Sequence, residues 1–265
     1  MPSTSNQSHT GASRIALVTG AGRGIGQAIA VALAAAGHRV AVTARTGDEL
    51  AETVALCRAA GAPDALAMTA DLTDGRALDE VFAQVEAAFG PVEILVANAG
   101  AAVSGPLVRT TDEQWQHMLD INLTAPFRCV RRALPSMVDA GYGRIVVIGS
   151  VASKVGAPYI SAYVAAKHGV LGLVRAAAAE VVRTGVTVNA VCPAFADTPM
   201  TDVSIANIVA RTGRTEVDAR AELHSRQPIG RLITVDEIAS AVMFCVTNAA
   251  VTGQGINVDG GTVQS

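Results

Sequence analysis

RIALVTGAGRGIGQAIAVALAAAG, residues 14–37, decides how the rest of this chain is read. Residues 14–20 are a short, β-branched run ending on glycine, the pattern of a buried strand. The alanine-rich run over 27–37, closed by Gly37, has the length and propensity of a helix. Between them TGAGRGIG, residues 19–26, places glycine at 20, 22, 24 and 26, where a plain strand–helix turn would need only two. Glycines at the mouth of a helix let backbone N–H groups approach an anion, and the helix N-terminus adds partial positive charge. Strand, glycine turn and helix in this order therefore predict a nucleotide diphosphate site.

The alternation continues outward. Strands are expected over 38–45, 65–72, 92–100, 143–150, 187–193 and 254–261. Helices are expected over 48–60, 76–89 (stopped by Gly90-Pro91) and 160–184. This rhythm predicts an α/β fold: one Rossmann-type, doubly wound parallel sheet with helices on both faces. No repeat or linker divides it, so 14–265 reads as a single catalytic domain after a frayed polar leader, 1–13. Residues 194–231 exceed a simple crossover and read as a lid over the sheet's carboxyl edge.

Composition narrows the function. Of 265 residues 50% are apolar and 16% charged, with a net charge of −3 and no run of like charge, which argues against a nucleic-acid partner. No stretch approaches eighteen uninterrupted apolar residues, and the opening lacks the apolar core of a secretory signal. No membrane association and a cytoplasmic location are expected. Cys57, Cys129, Cys192 and Cys245 lie far apart, without disulfide or zinc spacing, so buried thiols and no metal site are expected.

At the end of the second strand, where an NAD site carries an acid for the ribose hydroxyls, this chain has Ala44-Arg45. A guanidinium there would grip a 2′-phosphate, and Arg23 in the glycine turn could close on it from the other side, so NADP(H) is expected. The alternative is two solvated surface arginines. After the third strand, Asp71 is placed to accept from an adenine amino group, or to cap the helix starting near Thr73.

The chain has eighteen arginines but two lysines and three tyrosines, yet Lys167 stands four places after Tyr163 in SAYVAAKHG. On a helix the two share a face one turn apart. A free phenol titrates near pH 10. A neighbouring ammonium, with a nicotinamide cation when the cofactor is oxidised, is expected to lower that value and fit the phenol for acid–base work on a carbonyl. Ser150 ends the fifth strand, where open α/β sheets bind ligands, and its hydroxyl could reach the same oxygen. Ser153 and Ser161 are explained by capping, and Tyr159 has no lysine four residues on.

TGAGRGIG, ANAG (97–100), INL (121–123), Ser150, Tyr163-x-x-x-Lys167 and VNAVCPAFADT (188–198) together resemble the short-chain dehydrogenase/reductase family of the compact type, over nearly the whole chain from 14 to 261. The resemblance implies a catalytic set of Asn122, Ser150, Tyr163 and Lys167, with Asn122 holding a water that links Lys167 to solvent. It implies cofactor contacts from Gly20, Arg23, Gly24, Ile25, Gly26, Arg45, Asp71, Leu72, Asn98, Pro193 and Thr198, besides Tyr163 and Lys167. It also implies a homotetramer. Two departures stand out: Pro193-Ala194 where the family usually has Pro-Gly, and Ala97-Asn98 for its double asparagine.

Within the family the sequence is similar to 3-oxoacyl carrier-protein reductases, polyketide ketoreductases and 3-hydroxybutyrate dehydrogenases. Where the resemblance to the hydroxybutyrate enzymes implies polar side chains that hold a small carboxylate, this chain has Ala102, Ala152 and Ile160, which offer no charge or amide. A ketone neutral near the reacting carbon, free or thioester-linked, is therefore favoured. The expected reaction is NADPH-dependent reduction of a ketone or 3-oxoacyl group to a secondary alcohol. The alternatives are oxidation of a secondary alcohol or 3-hydroxyacyl substrate, and a dinucleotide-binding redox sensor. Met200, Ile205, Ile208 and Val209 face either a pocket or the protein body. Arg211, Arg214 and Arg220 serve either an acyl carrier's acidic surface or a solvated face.

Overall fold

The computed structural model describes residues 13–264, so the expected leader lies outside the described residues except for Ser13. In chain order the strands are β1 Ile15–Thr19, β2 Arg39–Ala44, β3 Ala65–Thr69, β4 Ile94–Ala97, β5 Gly143–Ile148, β6 Val186–Pro193 and β7 Gly255–Val258. The helices are α1 Gly24–Ala35, α2 Gly47–Ala60, α3 Gly75–Ala88, α4 Asp112–Leu119, α5 Ala125–Asp139, α6 Ser161–Val181, α7 Pro199–Thr212, α8 Glu216–Ser225 and α9 Val235–Thr247. The sheet runs β3-β2-β1-β4-β5-β6-β7, and every neighbouring pair is parallel. This is the doubly wound α/β sheet that the alternation predicts.

Both faces of the sheet are buried because successive strand residues point to opposite sides. Leu17, Leu95, Ile145 and Val147 join the core that includes Phe82 of α3, Val130 of α5 and Val174 of α6. Their neighbours Ala16, Val18, Val96 and Val146 join the opposite core, with Ile29 of α1, Leu50 of α2 and Val242 of α9. Each large side chain withdrawn in this way contributes about 1.5–3 kcal/mol. The chain order reverses between β1 and β4, and the crevice outside their carboxyl ends is where such sheets take ligands.

Two local results go beyond the sequence pattern. Helix α1 begins at Gly24, three residues before the expected start at 27. Gly24 and Gly26 lower helix propensity, but packing of the turn overrides them. Between α4 and α5 the helix passes through a π-helical turn, Asp120–Thr124, in which the Ala125 amide bonds the Asp120 carbonyl. Pro126 has no amide to donate to the Asn122 carbonyl four residues back, so the ladder shifts by one residue there. The extra residue turns Asn122 inward, where it is fully buried.

Residues 194–231 fold as α7 and α8 with a small core of their own, Ile205, Ala219, Leu223 and Leu232, against which Ile208 and Val209 pack. Three of the four apolar side chains considered in this segment therefore face protein, while Met200 is 47% exposed. Its arginines are engaged locally: Arg211 donates to the Ser104 carbonyl at 2.9 Å, Arg214 pairs with Glu222, and Arg220 reaches Asp202 at 2.7 Å. No helix among the described residues is long and apolar enough to cross a membrane.

Candidate active site

The glycine turn leaves β1 through Gly20 at φ +62° and enters α1 through Gly24 at φ +59°, the left-handed region that glycine occupies without penalty. A Cβ on Gly26 would sit 2.3 Å from the Gly20 carbonyl oxygen and 2.5 Å from Asn98 Nδ2, so the turn has no room for a side chain at this position. This backbone cradle at a helix mouth fits a dinucleotide diphosphate. Ile25 is half-buried beside the turn. Asn98, just past β4, ties the turn down: its Nδ2 donates to the carbonyls of Thr19 and Gly20, both at 2.9 Å. Thr198 stands across the crevice, with Cγ2 3.5 Å from where a Cβ on Gly24 would lie. Pro193 ends β6 and is buried.

On the other side of the turn Arg45 is exposed at the end of β2. Asp71 accepts from the Thr73 amide at 3.0 Å and hydroxyl at 2.8 Å. These bonds, and more weakly the charges of Arg45 and His117, hold its carboxyl below the ordinary value. Asp71 therefore closes the turn ahead of α3, while Asp74 is the residue that caps the helix. Leu72 is 4% exposed, with its side chain in the core. Arg23 is not the free cation the sequence reading assumed: its Nη1 lies 3.0 Å from Glu49 Oε1 in the first turn of α2.

The four catalytic candidates converge beyond β4 and β5. Ser150 follows β5 and its Oγ accepts from the Ala152 amide at 3.1 Å, which leaves its hydroxyl proton free to point elsewhere. Ser150 lies beside Tyr163, near enough for its hydroxyl to favour the ionised phenol. Lys167 is 5% exposed, donates to the Ile148 carbonyl at 2.8 Å and places Nζ 5.6 Å from the centre of the Tyr163 ring. Asn122 donates to the carbonyls of Ala101 at 2.9 Å and Met118 at 3.1 Å. Its Oδ1 would lie 2.9 Å, and Lys167 Nζ 3.9 Å, from a Cβ on Gly100, so both address the same small space.

The protonation balance within the chain differs from the sequence expectation. Burial pushes the Tyr163 phenol above its ordinary value, and the Ser150 hydroxyl offsets only part of that. Lys167 is the group brought toward neutrality, down to about 8, because burial disfavours its charge. An ammonium and a nicotinamide cation favour the phenolate, but burial of both side chains opposes them, and among the polypeptide's own contributions burial dominates. A phenol that keeps its proton at neutral pH is in the state a general acid requires.

The rivals separate on position. Tyr159 is 62% exposed, at φ +69°. Ser153 Oγ accepts from the Ser150 amide at 3.2 Å, which is the capping role expected of it. Ser161 does not cap: Ile160 is the N-cap of α6, and Ser161 Oγ is buried with no hydrogen-bond partner among the described residues. Ala194 needs no glycine conformation, since Tyr159 alone among the described non-glycine residues has positive φ. All four cysteines are buried and unpaired. The sequence reading missed the Ala101 and Ile148 carbonyls, because backbone acceptors carry no residue signature. It also missed Glu49, whose only signal was an acid in a helix's first turn.

The sequence pattern of short-chain dehydrogenases matches residues 14–208. The chain belongs to the short-chain dehydrogenase/reductase family. Among similar proteins, the 3-oxoacyl-[acyl-carrier-protein] reductase MabA of Mycobacterium avium is 39% identical over 254 residues, 94% of this chain and 89% of MabA. The D-beta-hydroxybutyrate dehydrogenase of Rhizobium meliloti is 35% identical over 252 residues, 94% of this chain and 98% of that protein. A tryptophan variant of actinorhodin polyketide ketoreductase, crystallised with NADPH, superposes with a TM-score of 0.91 at 38% identity, covering 94% of this chain and 97% of that one. Within this chain Tyr163 and Lys167 lie on one helix, α6.

Proposed function

We propose that this protein is an NADPH-dependent reductase that converts a ketone or 3-oxoacyl group to a secondary alcohol, with Tyr163 as general acid. The observation that carries the reading is buried Lys167 with its Nζ 5.6 Å from the centre of the Tyr163 ring, beside Ser150 at the end of β5. Gly20, Gly24, Ile25 and Gly26 would hold the cofactor's diphosphate, Arg23 and Arg45 its 2′-phosphate, and Asp71, Leu72 and Asn98 its adenosine half. Tyr163 and Lys167 would hold the nicotinamide ribose, and Pro193 and Thr198 the carboxamide. When bound, the dihydronicotinamide supplies hydride to the carbonyl carbon.

The chain's own residues handle the proton. The hydroxyls of Ser150 and Tyr163 both address the substrate oxygen, which orients the carbonyl and polarises it. As negative charge develops there, Tyr163 Oη releases its proton to that oxygen. Lys167 then supports the phenolate electrostatically, and the space it shares with Asn122 is a route by which a proton returns from solvent. The names of the carrier-protein reductase and the polyketide ketoreductase support reduction as the direction.

The second reading, oxidation of a hydroxy acid, draws on the Rhizobium relative's name. The apolar residues Ala102, Ala152 and Ile160 weigh against a small carboxylate substrate. The same proposal takes 194–231 as the substrate lid, with Arg211 latching it to the loop after β4, and places the enzyme in the cytoplasm with no nucleic-acid partner. Assembly as a homotetramer is taken from the family resemblance.

The test is NADPH consumption against a panel of ketones, β-ketoacyl thioesters and secondary alcohols. Tyr163→Phe is expected to lower kcat by about a hundred- to ten-thousandfold, a far larger loss than the weakening of NADPH binding from the lost ribose contact. A Tyr163→Phe enzyme that still turns over at a tenth of the original rate would overturn the assignment.

A further inference from the structure

The 2′-phosphate pocket contains a residue that works against it. Glu49 lies in the first turn of α2, whose N-cap Thr46 makes no side-chain cap, so the helix mouth favours an anion there. Its Oε1 sits 3.0 Å from Arg23 Nη1. Its other oxygen reaches the glycine turn, 2.8 Å from where a Cβ on Gly22 would be, and Ala44 lies 3.5 Å from the same point. The carboxylate is therefore wedged between the glycine turn and the end of β2.

The backbone carrying Glu49 is anchored. Thr53, fully buried one turn further on, donates to the Ala21 carbonyl at 2.8 Å, and Gln27 donates to the Thr53 hydroxyl at 3.1 Å. Helix α2 is thus fastened to the glycine turn, and Glu49 cannot withdraw without leaving Arg23.

We propose that Glu49 sets the enzyme's discrimination between NADPH and NADH by holding the Arg23 guanidinium and presenting a carboxylate to the ribose. Toward a 2′-phosphate the carboxylate is a like charge, and it competes for one of the two arginines that would receive that group. Toward the 2′-hydroxyl of NADH it is a hydrogen-bond acceptor, the role an acid plays at an NAD site. One residue thus weakens NADPH binding and supports NADH binding, so the preference for NADPH is smaller than two arginines alone would give. The inference rests on Arg23 and Arg45 receiving the 2′-phosphate.

The test is equilibrium titration of the full chain with NADPH, NADH, 2′,5′-ADP and 5′-AMP, which reads binding without turnover. Glu49→Gln is expected to lower Kd for NADPH and 2′,5′-ADP by about three- to tenfold, with Kd for NADH and 5′-AMP unchanged or raised. Glu49→Ala, which leaves no amide to hold Arg23, should move the NADPH values the same way. Weaker NADPH binding in both variants would mean that Glu49 serves to position Arg23, and would overturn the proposal. An unchanged NADPH-to-NADH ratio would overturn it too. Arg23→Ala and Arg45→Ala separate the two levels. If neither reduces the preference for 2′,5′-ADP over 5′-AMP, the phosphate assignment falls and this proposal falls with it. If both do while Glu49→Gln changes nothing, only the role of Glu49 is lost.

Discussion

Asn98 joins the glycine turn to the central strand, and replacing it should be felt by both stability and cofactor. Its Nδ2 uses both hydrogens, one on the Thr19 carbonyl and one on the Gly20 carbonyl, each at 2.9 Å. Its own amide donates to Thr19 Oγ1 at 3.0 Å, a contact that survives any substitution of the side chain. Asn98→Ala therefore removes two hydrogen bonds, each contributing about 0.5–1.5 kcal/mol, or about 1–3 kcal/mol together. For a domain of this size that is a fall in Tm of about 2–10 °C. Asn98→Asp keeps the shape but sets a carboxylate against two carbonyl oxygens with no donor, so it should cost more than alanine. Because the Gly20 carbonyl is also the atom nearest a Cβ on Gly26, loosening it disturbs the diphosphate cradle, and Kd for NADPH should rise about tenfold. Thermal melts with and without NADPH, followed by a binding titration, measure both effects. An aspartate variant that melts no lower than the alanine variant and binds NADPH normally would refute the reasoning.

Two pH dependences follow from buried bases. Lys167, lowered to about 8 by burial, is protonated below that pH, so kcat for reduction should hold through neutrality and fall above about pH 8, while alcohol oxidation rises. A reductive profile flat to pH 10 would show that this ammonium is not in the proton path. His38 is 8% exposed, its Nδ1 accepts from the Arg14 amide at 3.2 Å, and burial lowers its pKa, with Glu93 opposing and Arg14 reinforcing. A base depressed in the folded state binds its proton less readily than in the unfolded chain. Stability should therefore be complete above about pH 6.5 and decline as pH falls from there through the folded value. Urea midpoints at pH 5.5 and 7.5 check this, and a His38→Gln variant that keeps the same slope would exclude His38 as the cause.

Much of the site was legible because it rests on residues with few alternative uses. Glycines at 20, 24 and 26 are tied to a left-handed turn or to a gap without room for a Cβ, and helical spacing puts Tyr163 beneath the same crevice as Lys167. Asn122 was legible only through the family resemblance: its inward turn depends on a π-turn enforced by a proline four residues on. Arg23 was identified as a cation, yet its pairing with Glu49 links the glycine turn to α2, 26 positions away.

Taken alone, the amino-acid order determined the strand–helix alternation, the diphosphate turn and the chemical identity of the reacting groups. These follow from local periodicity, propensity and spacing, all encoded within a few residues. The tertiary structure decided which protons are held and which charges are free. Burial raises the phenol and lowers the amine, and the packing of α2 on the glycine turn pairs Arg23 with Glu49. Desolvation and long-range pairing depend on what the rest of the chain brings to a point in space, which no window of sequence contains.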